Sequence, residues 1–98
     1  MLKKKTQMKI NTAVRDYIKM FPSDYELVLR DIEHQRHNLK DDYASIKGHV
    51  IKRAIYTIPE RLSTMFAMKL DEEELVEFSR NPRWFAENYP QFAITKQI

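Results

Sequence analysis

TIPERLSTMFAMKLDEEELVEFSRNPRWFAENYPQF, residues 57–92, starts a helix three times. Thr57, Pro59 and Glu60 supply an N-cap, a first-turn proline and the glutamate of a capping box. Asp71 precedes Glu72, Glu73 and Glu74, which puts a capping carboxylate and negative charge where a helix exposes free amides. Asn81 before Pro82 repeats the cap-then-proline order and opens a short helix, RWFAENY, which Pro90 stops. Gln91 to Ile98 then reads as an extended tail. After the first two restarts the apolar residues return at helical spacing: Leu62, Met65 and Phe66, then Leu75, Val76 and Phe78. The stretch reads as helices only.

Outward from it, KDDYASIKGHVIKRAIYTI at 40–58 has a cap candidate at Asp41 or Asp42. Tyr43, Ile46, Val50, Ile51, Ala54, Ile55 and Ile58 follow on one face, so a central helix is expected over about 42–58. Ser23 with Glu26 forms a capping-box pattern ahead of Tyr25, Val28, Leu29 and Ile32. Asn11 or Thr12 can cap a first helix through Met20, which Pro22 ends because the residue before a proline avoids helical angles. Residues 1–9 read as a flexible basic arm and 10–98 as a single domain. The expected architecture is an all-α orthogonal bundle of five to six short helices around the central one.

At 98 residues, with 43% hydrophobic and 32% charged side chains, the chain suits one globular core that buries roughly 60–65% of its unfolded surface. With no cysteine there is no thiolate ligand, thiol nucleophile or disulfide framework, and a reducing cytoplasm is the expected location. Residues 1–18, MLKKKTQMKINTAVRDYI, have no long apolar core of the kind a signal peptide needs. No apolar run nears the roughly 20 residues that span a bilayer, so no membrane partner is expected. The net charge is +3, but residues 1–20 hold six bases against one acid, and residues 62–80 two bases against five acids. That asymmetry suits an oriented contact or head-to-tail self-association.

Enzymatic readings lack equipment, because phosphate-cradling loops and nucleophile elbows need glycines and Gly48 is the only one. The chain therefore reads as non-enzymatic and without a cofactor. His34, His37 and Asp41 are one turn apart, but Glu33, Gln35, Arg36 and Asn38 around them make this the polar end of a helix, and no metal is assigned. Consecutive acids at 71–74 point in different directions, so they cap a helix and do not form a catalytic carboxylate pair.

Trp84, Phe85, Tyr89 and Phe92 place four of the eleven aromatics within nine residues. A small core needs at most two of these rings, which leaves the others, with Arg83, as anchors for a partner. Glu72 and Glu73 add an acidic knob that fits a basic surface. Met65, Phe66 and Met68 point around more than one side of their helix, and a second copy could cover the spare side. The leading expectation is thus a binding protein that docks on a protein partner, with a homo-oligomer plausible.

The alternative is nucleic-acid binding. Ala44 and Gly48 are spaced as in a helix-turn-helix, with Lys47, Lys52, Arg53 and Arg61 close by. Lys3, Lys4, Lys5 and Lys9 would form an arm laid along phosphates.

Residues 70–92, LDEEELVEFSRNPRWFAENYPQF, resemble the ends of small phage-encoded helical proteins of unassigned function. The resemblance covers about 23 residues. It implies a protein in the host cytoplasm that modulates a host or viral machine by docking on it, and it carries no catalytic or binding residues.

Overall fold

The computed structural model describes residues 2–45, with backbone alone from 38, and residues 56–94. Among them are five α-helices: α1 (Lys4–Met20), α2 (Pro22–Ser45), α3 (Glu60–Lys69), α4 (Glu72–Ser79) and α5 (Pro82–Asn88). A 3-10 turn, Pro90–Phe92, follows. No strand forms among the described residues; a single antiparallel bridge joins Tyr56 to Ala93. The all-α class is the one the cap signals call for.

The basic arm is not loose. Leu2, Thr6, Ile10, Ala13, Val14 and Tyr17 are all buried, and their spacing of three and four makes one stripe along α1. Lysines at 3–5 are good helix formers and leave that stripe free. Helix α1 therefore begins at Lys4, and Asn11 and Thr12 lie in its interior. The Thr12 hydroxyl donates to the carbonyl of Met8 one turn back (3.0 Å), a bond that a mid-helix threonine commonly makes. The helix ends where expected, with Phe21 at its C-cap ahead of Pro22.

Helix α2 starts at Pro22, one residue before the Ser23 cap expected for it. Pro22 occupies the first turn, and the Tyr25 amide donates to Phe21 O (2.9 Å). A proline at this point loses nothing, because the first-turn amides have no partner inside the helix. The helix then runs unbroken to Ser45, through the cap expected at Asp41 or Asp42. At the other end of the expected central helix, Tyr56 to Ile58 are not helical. Tyr56 pairs with Ala93, and the Thr57 amide donates to Phe92 O (2.9 Å) instead of opening a helix. The stretch 46–55, including Gly48, lies outside the described residues. Pro59, not Thr57, is the N-cap of α3.

Asp71 forms a complete capping box with Glu74: its carboxylate accepts from the Glu74 amide (2.8 Å), and Glu74 accepts from the Asp71 amide (3.0 Å). Two free first-turn donors are satisfied at once. Asn81 is the N-cap of α5 as expected, but its side chain donates backward to Glu77 O (2.8 Å), closing the end of α4.

The core centres on α1 and the C-terminal block. Ile10, Val14 and Tyr17 meet Ile32 of α2, Leu62 and Phe66 of α3, Phe78 of α4, and Phe85 and Phe92. Of the tail expected to be extended, the described residues 91–94 begin by folding inward, since Phe92 is fully buried and Ala93 nearly so. Arg36 of α2 fastens it, donating to Ala93 O (2.5 Å) and Pro90 O (2.6 Å). The planar guanidinium suits two acceptors presented together.

Candidate functional site

Helix α1 has two unlike faces. At 100° per residue, the buried residues Thr6, Ile10, Ala13, Val14 and Tyr17 cluster on one side. Lys4, Lys5, Met8, Lys9, Thr12, Arg15, Asp16 and Lys19 all fall within about 140° on the other. That outward side holds five cations and one acid. Met8 stands among them 62% exposed. Two shallow grooves flank the ridge. One, of about 580 Å³, is lined by Lys4, Lys5, Met8, Lys9, Thr12 and Lys69; the other, of about 410 Å³, by Asn11, Val14, Arg15, Ile18, Lys19 and Tyr89.

Part of this charge is used by the fold. Lys9 Nζ lies 2.7 Å from Glu74 Oε1, and Lys69 Nζ lies 3.4 Å from Asp16 Oδ2. The backbone amide of Lys3 and the hydroxyl of Thr6 both donate to Glu77. Glu74 thus closes its own helix cap and binds α1. The Lys9 bond foremost, then the Asp71 amide, holds its carboxyl below the usual range. The basic and acidic stretches that looked like opposite ends of the molecule are packed side by side. Lys4, Lys5, Arg15 and Lys19 make no ion pair among the described residues, although the Lys5 charge adds a small part to the lowering of the Glu74 carboxyl.

The expected protein-docking residues do not form one surface. Phe85 and Phe92 are fully buried, their rings stacked at 5.6 Å. Trp84 and Tyr89 pack against the core half-exposed, 6.3 Å apart, and the Tyr89 hydroxyl donates to Asn11. Arg83, Glu72 and Glu73 are exposed. Phe66 is buried while Met68 of the same helix is 80% exposed, so α3 does present an apolar side chain outward.

Of the nucleic-acid set, Lys4, Lys5 and Lys9 come together in the larger groove. Lys3 is exposed but does not line that groove. Arg61 lies elsewhere, its guanidinium 4.7 Å above the Phe21 ring and 3.7 Å from Asp24, where it joins α3 to the start of α2. Lys47, Lys52 and Arg53 lie outside the described residues. No family model, curated protein or solved structure matches the chain.

Met8, Arg15, Lys19 and Lys69 are not among the site residues expected from sequence. Three of the four share the helical spacing of Lys4 and Lys5, a signal that a boundary at residue 9 hides and that the continuous helix α1 restores. Lys69 joins them only through tertiary packing. His34 and His37 are exposed, and no group of three or more metal-ligating side chains gathers among the described residues. An elongated, ordered cationic ridge with shallow flanks suits contact with an extended anion more than enclosure of a small molecule.

Proposed function

We propose that the chain is a small non-enzymatic binding protein that docks on an acidic macromolecule through the outward face of α1. One observation carries this reading: Lys4, Lys5, Arg15 and Lys19 are aligned on an ordered helix without an ion pair among the described residues, although the fold pairs their neighbours Lys9 and Lys69. Like charges on one face repel, and nothing in the core requires them there. The expected use of the aromatic block as the anchor is weaker support, because Phe85 and Phe92 serve the interior.

Docking on a larger machine is also what the resemblance of residues 70–92 to phage-encoded proteins implies. The cysteine-free composition supports a reducing cytoplasm. No helix among the described residues is long and apolar enough to cross a membrane. Self-association remains compatible with the exposed Met68, Leu75 and Val76.

The test is retention on an immobilised sulfated polysaccharide. Replacing Lys5, Arg15 and Lys19 by Gln should bring elution to clearly lower salt. The same charge loss at exposed Arg30, Arg80 and Arg83 should move it far less. Equal shifts from both sets would mean that net charge, not this face, governs binding, and would defeat the proposal.

A further inference from the structure

We infer that the acidic partner of this face is a nucleic-acid duplex, gripped by its phosphates without reading of base sequence. This rests on the docking reading above and names its ligand.

The first reason is charge density. From Lys4 to Lys19 the ridge runs fifteen residues, about 22 Å at the rise of an α-helix. A duplex carries one negative charge per ~1.7 Å of axis, so roughly a dozen phosphates lie beside a ridge of that length. An extended peptide advances ~3.3 Å per residue and would need an almost unbroken run of acids to offer half as many. Four unpaired cations distributed along the ridge are best matched by the ligand whose charge is regular and dense.

The second reason is what the face lacks as a reader. Its cations are mainly lysines, compact point charges suited to phosphate oxygens. The neutral polar side chains near the ridge already hold partners within the protein, which leaves the lysines and Arg15 as the groups that meet the ligand. Thr12 donates to Met8 O, Asn11 accepts from Tyr89, and Gln7 donates to Leu2 O (2.9 Å). Among the described residues Tyr89 is the one ring beside the ridge cations, and it is packed on Phe85 with its hydroxyl held by Asn11, so no row of rings is offered to stack successive unpaired bases, as single-strand binders require. Because the inner side of α1 is buried, only its outward flank, with the cations, can meet the ligand.

Four phosphates neutralised would give a slope of log affinity against log salt of about −3.6, close to a hundredfold loss of affinity between 50 and 200 mM salt. Fluorescence anisotropy with two labelled duplexes of equal length and unrelated sequence, followed across that range, tests this. Equal affinity for both duplexes, that slope, and weaker binding to a single strand of the same length are the expected results. Replacing Lys4 and Arg15 by Gln, with helicity checked by circular dichroism, should make the slope shallower by about 2. Replacing Arg30 and Arg83 should leave it unchanged.

No binding at 50 mM salt, preference for the single strand, a preference between the two duplexes, or equal losses from both pairs would each overturn the inference. Polyglutamate competing as well as unlabelled duplex would overturn the duplex assignment and leave docking on an acidic protein intact. If neither polymer binds, both readings fail.

Discussion

Residues 2–20 carry six of the seventeen basic side chains, and residues 84–92 hold four of the eleven aromatics. On composition alone, the first stretch belongs in solvent and the second is a source of surface anchors. In the fold the first is a helix whose inner stripe belongs to the core and packs on α2 and α3, and the second is largely interior. The contrast teaches that composition states what covers a face, while spacing states which face is covered. Every third or fourth residue of the N-terminal stretch is buried, so its lysines occupy the remaining positions of a scaffold helix. Helix α5 has only seven residues and could not stand alone, so its rings bind it to the core and only the ring edges that the core cannot take remain outside.

The contrast breaks most visibly at Phe85. Its ring lies 5.1–6.1 Å from those of Tyr56, Phe66, Phe78, Tyr89 and Phe92. Phe85→Ala should cost about 3–5 kcal/mol, a large part of what a domain of this size has, and should abolish a cooperative thermal transition or lower its midpoint steeply. Trp84→Ala, one position away, should cost about 1–2 kcal/mol. Equal losses at the two sites would mean that the aromatic block is not divided between interior and surface.

Leu2→Ala applies the same test to the N-terminal stretch, with about 2–5 kcal/mol expected in a chemical denaturation experiment because the side chain is buried in the core. A dispensable arm over residues 1–9 would lose far less.

What the sequence told in advance follows from where each signal originates. Asp71 and Asn81 were readable as caps because a cap is a local bond between neighbours. The start of α1 was not, since Lys3 makes no capping bond with its side chain. That end is fixed by Glu77, far away in sequence, and by burial of Leu2 and of Thr6, a polar residue in an apolar stripe. Asp41 and Asp42 sent a cap signal that the continuing α2 overrides, as tertiary context often does with local preference. The ridge on α1 was visible as charge but not as a face, because the boundary expected at residue 9 cut its periodicity in two.

A smaller effect joins both regions through titration. Burial first, then the hydrogen bond to Asp24 (2.5 Å) and its negative charge, raises the Tyr17 phenol well above its ordinary 10.0. A raised folded-state value means that this contribution to stability is whole below about pH 10 and is lost as pH climbs beyond it. Tyr17→Phe should cost about 1 kcal/mol at neutral pH and reduce the alkaline loss. Tyr56 and Tyr89, also raised by burial, contribute to the same loss. At the acid end the sign reverses. The lowered Glu74 carboxyl stabilises the fold above the usual carboxylate range, and that contribution disappears as pH falls through its lowered value. Lys9→Gln removes the main cause, so denaturation midpoints of that variant should depend less on pH in acid.

The smallest expected effect is the sharpest probe of the two faces of α1. Lys5, Arg15 and Lys19 are exposed, outside every ion pair of the described residues, and gathered on one side of a helix. Replacing all three by Gln removes three positive charges that repel one another, and the glutamines keep most of the helix propensity. Stability should therefore stay within about 0.5 kcal/mol of the parent, or rise slightly at low salt. Lys19 works the other way, since it stands in the last turn of α1, where a cation gains from the helix dipole. Its loss should offset part of the relief, so Lys5→Gln with Arg15→Gln should be the more stable pair. A loss above about 2 kcal/mol in the triple variant, measured by urea titration, would show that these cations hold the fold together. They would then not be a surplus left for a partner.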